Sequence, residues 1–330
     1  MAAQIQVEQL RKTFRVAEPT PGLRSALLGL IRPRYREVRA LDGVDFEIEK
    51  GELVAYIGPN GAGKSTTIKV LAGVLVPSSG QCRINGRVPW LDRVRHVASI
   101  GVVFGQRTQL FWDLPLLESF ELLRAIYAVP RESFATRLEE LSALLTLEPL
   151  FATPVRQLSL GQRMRAELAA ALLHAPDVLF LDEPTIGLDA PSKLAVRGFI
   201  RELNRRSGVT VILTTHDFDD IEAVCDRVIV VADGRVVQDG TLSALRRAVL
   251  HERRLIVDVG DGANSLDLPA ARLVERAGSR YTFAFDPERV SSTELIRELT
   301  AKTAVSDLFI AHPPIEEVIS ELYRQNASRK

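Results

Sequence analysis

The chain has 330 residues, 46% hydrophobic and 25% charged, enough apolar material for one full domain core and a smaller second one. Its 42 basic and 42 acidic residues cancel, giving no support to nucleic acid as a partner. The two cysteines, Cys82 and Cys225, form no CxxC pair or disulfide framework and fit a reducing cytosol, while the opening residues lack a signal-peptide pattern and no apolar run nears the ~18–20 residues of a membrane span.

In chain order, short strands are predicted at residues 5–7 and 44–48, the second alternating apolar and acidic side chains. Buried-strand patterns follow at 53–57, 100–104, 178–181, 209–214 and 227–231. Between them lie segments of helical period, including 65–75, 132–145, 162–173 and 191–206. Strands alternating with helices of this length imply an α/β fold, a mostly parallel sheet flanked by helices. The pattern changes near 245–254. Strand-like pieces at 255–259 and 281–285, then helix, strand and helix, predict a small α+β domain over 245–330, separate from a main domain over 1–244.

Three motifs carry chemistry. The first is Gly58-Pro59-Asn60-Gly61-Ala62-Gly63-Lys64-Ser65, followed by Thr66, placed between a strand and a helix. Its spacing fits GxxxxGK[ST], in which glycine backbone N–H groups and a helix N-terminus surround phosphate oxygens. Lys64 can reach the β- and γ-phosphates of a nucleoside triphosphate, and Ser65 can ligate Mg2+. The second is an apolar strand ending in Asp182-Glu183. Asp182 is placed to hold Mg2+ through water and Glu183 to polarise an attacking water. The third is Leu158-Ser159-Leu160-Gly161-Gln162, ahead of a helix, which supplies a second anion-binding helix start.

With these motifs in this order, residues 4–243 resemble the ABC ATPases, whose LSGGQ signature covers the γ-phosphate of ATP bound to the opposite protomer. Leu160 stands where the signature has glycine. The resemblance implies a P-loop NTPase fold of the ABC type, with an antiparallel β subdomain and a helical subdomain at about 107–165. It gives further landmarks: Gln106 resembles the glutamine that touches Mg2+ and water, Gly187-Leu188-Asp189 the D-loop, and His216 the switch histidine at the γ-phosphate. Phe14 sits where the family stacks adenine, with Tyr35 as a rival. The implied activity is ATP hydrolysis in a homodimer that drives separate integral membrane permease subunits, two different ones in the exporter-type branch that the chain most resembles. That places the protein at the cytoplasmic face of the membrane. Members of that branch resemble sodium- and drug-efflux ATPases, so export is the expected direction. The alternative is a soluble ABC ATPase remodelling DNA or ribosomes; such proteins usually carry a long coiled coil or two nucleotide domains, and this sequence shows neither.

Between Arg11 and Arg39 stand eight Lys/Arg and two Glu. Within the insertion at 15–39, Leu23, Leu27, Leu28, Leu30 and Ile31 recur at helical spacing before Pro33. A basic amphipathic helix there could lie on an anionic membrane, dock on a partner or pack on its own domain. Phe111, Trp112, Leu114 and Leu116 offer either a permease socket or core packing. The C-terminal domain is expected to regulate or support the dimer.

Overall fold

The computed structural model describes residues 3–17, 35–105, 107–249, 252–260 and 266–328. They fall into two compact units, Met1–Gly240 and Thr241–Lys330, where the sequence reading puts the division after residue 244.

The first unit begins with β1 (Ile5–Ala17) and β2 (Tyr35–Ile48), antiparallel from Ile5 opposite Ile48 to Ala17 opposite Tyr35. Both run much longer than the pattern at 5–7 and 44–48 predicts. Alternation of buried and exposed side chains stops after Leu10, so the outer half of the ladder has no apolar signature. The ends of the expected insertion, 15–17 and 35–39, are therefore strand, and the predicted helix around Leu23–Ile31 lies outside the described residues. β4 (Ser79–Ile84) completes a three-stranded antiparallel sheet in the order β2-β1-β4.

β3 (Leu53–Ile57), one of the two middle strands of a second, six-stranded sheet, leads into α1 (Lys64–Leu71). After the short α2 (Arg93–Val97) come β5 (Ile100–Phe104), then α3 (Leu116–Ile126), α4 (Arg131–Leu145) and α5 (Leu160–Leu172). β6 (Val178–Asp182), α6 (Ala190–Ser207), β7 (Thr210–Thr214), α7 (Phe218–Val224), β8 (Arg227–Ala232) and β9 (Arg235–Thr241) finish the unit. The strand order is β5-β6-β7-β3-β8-β9, with β5, β6, β7, β3 and β8 parallel. β8 and β9 are joined by Asp233-Gly234, both at positive φ, the backbone that a two-residue hairpin turn requires.

The parallel strands are apolar on both faces because helices or the three-stranded sheet cover each side. One core joins Val54, Tyr56, Phe180 and Ile212 of the large sheet, Ile68 and Leu71 of α1, and Ile5 and Ile48 of the small sheet. The register sets Phe104, Asp182 and Thr214 abreast at the carboxyl ends of β5, β6 and β7. In parallel α/β sheets this is the edge where ligands bind.

The second unit starts with α8 (Leu242–Val249), followed by β10 (Arg253–Val259), β11 (Arg272–Ala277), β12 (Arg280–Phe285), α9 (Ser292–Lys302), β13 (Val305–Ala311) and α10 (Ile315–Ser328). Its antiparallel sheet, in the order β11-β12-β10-β13, packs Leu255, Val257 and Phe283 against Leu295 and Leu299 of α9. Ser291 and Glu294 cap α9 reciprocally.

Phe180 lies fully buried in the central sheet. Phe180→Ala is expected to destabilise the first unit by about 3–5 kcal/mol, read as a lower urea midpoint at unchanged slope.

Candidate functional site

The loop between β3 and α1 has a shape set by close backbone approach. A Cβ on Gly58 would lie 2.4 Å from the Val231 carbonyl oxygen, and one on Gly63, at φ +102°, 2.5 Å from that of Ala40. Only glycine fits either place. Pro59, Asn60 and Gly61 stand exposed at the crown, Ala62 packs inward, and Thr66 is half-buried in the first turn of α1. No side chain caps α1, so the amides of its first turn are left for an incoming acceptor. Lys64 Nζ folds back to the carbonyls of Gly58 and Pro59 at 2.7 and 3.2 Å. Burial pulls its pKa below the usual lysine range, against the opposing pull of Glu183 and Asp182.

Ser65 Oγ donates to Asp182 Oδ1 at 3.3 Å, and Thr214 Oγ1 donates to the same oxygen at 2.5 Å. A hydroxyl and a carboxylate facing each other beside a phosphate-shaped loop are hard oxygen donors of the kind Mg2+ takes together with substrate phosphates. Ser65 and Asp182 therefore fit that ion. They line a cavity of about 210 Å³ with Lys69, Gly105, Arg107 and Glu183.

Glu183 adopts φ 55°, unusual for a residue with a side chain. Its N–H donates to the Thr214 carbonyl at 3.0 Å and to Thr214 Oγ1 at 3.2 Å. On the other side, a Cβ at Gly105 would lie 2.3 Å from the Glu183 carbonyl oxygen. The Glu183 carboxylate reaches His216, Oε1 to Nδ1 being 3.4 Å, and His216 is largely exposed. Sequence reasoning missed what lies beneath this pair. Asp220, 1% exposed, accepts hydrogen bonds from Thr185 Oγ1, from Thr215 Oγ1 at 2.9 Å and from Arg197 Nε at 2.6 Å. Lys193 and Arg197 also pair with Asp217. The cluster joins the segments after β6 and β7 to α6. Its only sequence trace is the acidic run 217–220, which says nothing of Arg197.

The expected signature opens α5. Ser159 is the N-cap: its Oγ accepts from Gln162 N at 3.2 Å and its N–H donates to Gln162 Oε1 at 2.8 Å. At Gly161 a Cβ would stand 2.4 Å from Ser192 Oγ of α6, and Leu160 Cδ2 lies 3.1 Å from the Cβ position of Gly187. Asp189 caps α6 through Ser192, whose hydrogen bonds hold its carboxyl below the usual range. Ser159, Gly161 and Gln162 are not among the residues lining the cavity beside Ser65. The structure thus brings Lys64, Ser65, Asp182, Glu183 and His216 together and leaves the signature elsewhere on the same chain.

Phe14 is half-buried on β1 opposite Val38, with the Lys12 ammonium 5.3 Å from its ring centre. Tyr35 is 59% exposed opposite Ala17. Gln106 lies outside the described residues. Trp112 is 47% exposed beneath the Arg163 guanidinium, and Phe111 is also exposed. Leu116, by contrast, is fully buried and belongs to the core.

A family model described as ABC transporter matches residues 41–186. The Nod factor export ATP-binding protein I of Ralstonia nicotianae is 33% identical over 92% of this chain and 96% of its own length. The daunorubicin resistance ATP-binding protein of Streptomyces coeruleorubidus is 32% identical over 88% of this chain and 92% of its own. A methionine import ATP-binding protein of Latilactobacillus sakei is 30% identical over 85% and 84% respectively. Among solved structures, a dimeric ATP-binding cassette in a post-hydrolysis state with ADP and phosphate aligns at a TM-score of 0.61 and 28% identity, covering 72% of this chain and 98% of that one.

Lys64→Ala is expected to weaken ATP binding about tenfold or more, since hydrogen bonds to charged groups contribute about 1.5–3 kcal/mol. Titration with a fluorescent ATP analogue measures it.

Proposed function

Because this chain belongs to the ABC transporter ATP-binding proteins, we propose that two copies close around two ATP molecules and that the closing and reopening drive separate integral membrane permease subunits, two different ones in the arrangement the sequence favours. The chain is the ATP-binding and ATP-hydrolysing subunit of a transporter. The observation that carries the reading is the Glu183–His216 pair set beside the Lys64 loop and Asp182.

In this reading the loop 58–65 and Thr66 wrap the β- and γ-phosphates, and Lys64 leaves the carbonyls of Gly58 and Pro59 to meet them. Ser65 and Asp182, with Gln106, hold Mg2+. When bound, that ion neutralises charge on the phosphates. Glu183 accepts the proton of the attacking water and His216 donates to the γ-phosphate. Fixing the Glu183 backbone on both sides supports this role, since phosphoryl transfer depends chiefly on positioning. Phe14 is the proposed adenine platform, a stack that contributes about 1–3 kcal/mol in base-binding sites.

The signature, Ser159 to Gln162, is proposed to meet the γ-phosphate of ATP on the opposite copy, with Asp189 at the same junction. Its absence from the lining of the cavity beside Ser65 favours a partner over its own chain. Among the described residues no helix is long and apolar enough to cross a membrane, so attachment to the cytoplasmic face would run through the permease. Exposed Trp112 and Phe111 suit that contact. Export is the proposed direction because the relatives matched over 96% and 92% of their own length are named for export and drug resistance, while the import protein is matched over 84% of its own. A DNA- or ribosome-remodelling role is not favoured by relatives named for transport. The second unit is proposed to regulate or support the dimer.

Glu183→Gln should keep ATP binding, lower the hydrolysis rate about 10²–10⁴-fold and accumulate a dimer with ATP in size-exclusion chromatography. Hydrolysis at the native rate would overturn the base assignment. Ser159→Arg should abolish ATP-dependent dimerisation while each copy still binds nucleotide, as the same chromatography and a binding titration would record.

A further inference from the structure

A second cavity, of about 200 Å³, adjoins the first; Gly105, Arg107, Trp112, Leu160, Arg163 and Glu167 line it. Glu167 is the unusual member. It lies on α5, eight positions after the signature serine, and is 4% exposed. A carboxylate this deep is costly unless its oxygens are hydrogen-bonded. Among the described residues, its side-chain oxygens are held by neutral donors. Oε1 accepts from Thr108 Oγ1, Oε2 accepts from Gln109 N at 3.2 Å, and the Glu167 carbonyl accepts from Gln109 Nε2 at 3.2 Å. Thr108 Oγ1 in turn accepts from Leu110 N at 3.1 Å. Burial raises the Glu167 pKa, and the bonds from Thr108 and Gln109 oppose it.

The segment so gripped continues directly from β5. At its start, Gly105 N donates to the Asp182 carbonyl at 2.8 Å, and Gly105 leaves no room for a Cβ beside Glu183. Arg107 N donates to the Phe104 carbonyl at 3.0 Å, so one end of the segment is fixed beside the strand that ends at Asp182. Its other end is fixed to the helix that carries Ser159 and Gly161.

We propose that Glu167 is a positioning residue that staples the 107–110 segment to the signature helix, so that the helix reaches the second copy's nucleotide in register with the hydrolytic strand end. The inference rests on the two-copy reading above. It predicts that loss of the staple spares nucleotide capture at the Lys64 loop and impairs the steps that need both parts together. A residue serving only the fold of α5 would instead lower thermal stability and affect binding, dimerisation and turnover alike.

The test uses the full-length chain. Glu167→Ala should lower kcat for ATP about tenfold at a KM within about twofold of native, a loss of ~1.4 kcal/mol in transition-state stabilisation. Placed in the Glu183→Gln background, it should raise the protein concentration at which ATP produces half-dimerisation by a similar factor. The affinity of the monomer for the fluorescent ATP analogue should stay within twofold. Glu167→Gln, which retains an acceptor, should recover most of the loss. Thr108→Val removes one donor without emptying the site under α5; it should give the same split more weakly, and combined with Glu167→Ala it should add little.

Unchanged kcat and dimerisation in Glu167→Ala would overturn the proposal. So would a parallel fall in nucleotide affinity and melting temperature that Glu167→Gln fails to reverse, or full additivity with Thr108→Val. If Glu183→Gln with native Glu167 does not dimerise on ATP at all, the two-copy reading fails instead, and the staple fails with it.

Discussion

One oxygen of Asp182 holds the site together. Oδ1 accepts from Ser65 on α1 and from Thr214 at the end of β7, so a single acceptor joins the phosphate-loop helix to two strands. In-register pairing of Phe104, Asp182 and Thr214 makes this possible, because parallel strands of matched length bring their carboxyl ends to one line. The backbone beyond it has little freedom. Glu183 is tied on one side to Thr214 and abutted on the other by Gly105, and it keeps a left-handed φ that such contacts must enforce. Removing the Asp182 carboxylate would thus loosen three elements together.

The sequence revealed most where chemistry or backbone shape restricts the residue. Gly58 and Gly63 are legible because no side chain fits there, and Asp182-Glu183 because charges rarely end an apolar strand without a task. The buried parallel strands were legible from their continuous apolar runs. β9 and β11 were not, since each is an edge strand with no buried side chain and no face pattern. The outer half of the β1–β2 ladder was hidden for the same reason. The sequence leaves Trp112 and Leu116 alike open between surface and core, and a helix start turns the two to opposite fates. Asp220 and Glu167 were invisible for a different cause. Their partners stand at sequence separations of 23 for Arg197 and 59 for Thr108, and only the folded chain brings them together.

The two helix starts offered to phosphate differ in their free state. α1 has Gly63 at its N-cap and no side-chain cap, so its first amides have no side-chain acceptor from the cap. α5 is closed by the Ser159–Gln162 box. The first is suited to capture a ligand tightly within one chain. The second is satisfied without one, which suits the proposed role of a surface that meets and leaves a second copy.

That self-closed end bears on reversibility. A hydroxyl that accepts from Gln162 N keeps its own hydrogen to give, so Ser159 can meet an incoming oxygen while its helix cap stays intact. Neither arrival nor departure of a second molecule then requires the turn to unwind. In the proposed two-copy arrangement the encounter would need no local refolding, and the surface left behind on separation would already be the one the next encounter needs.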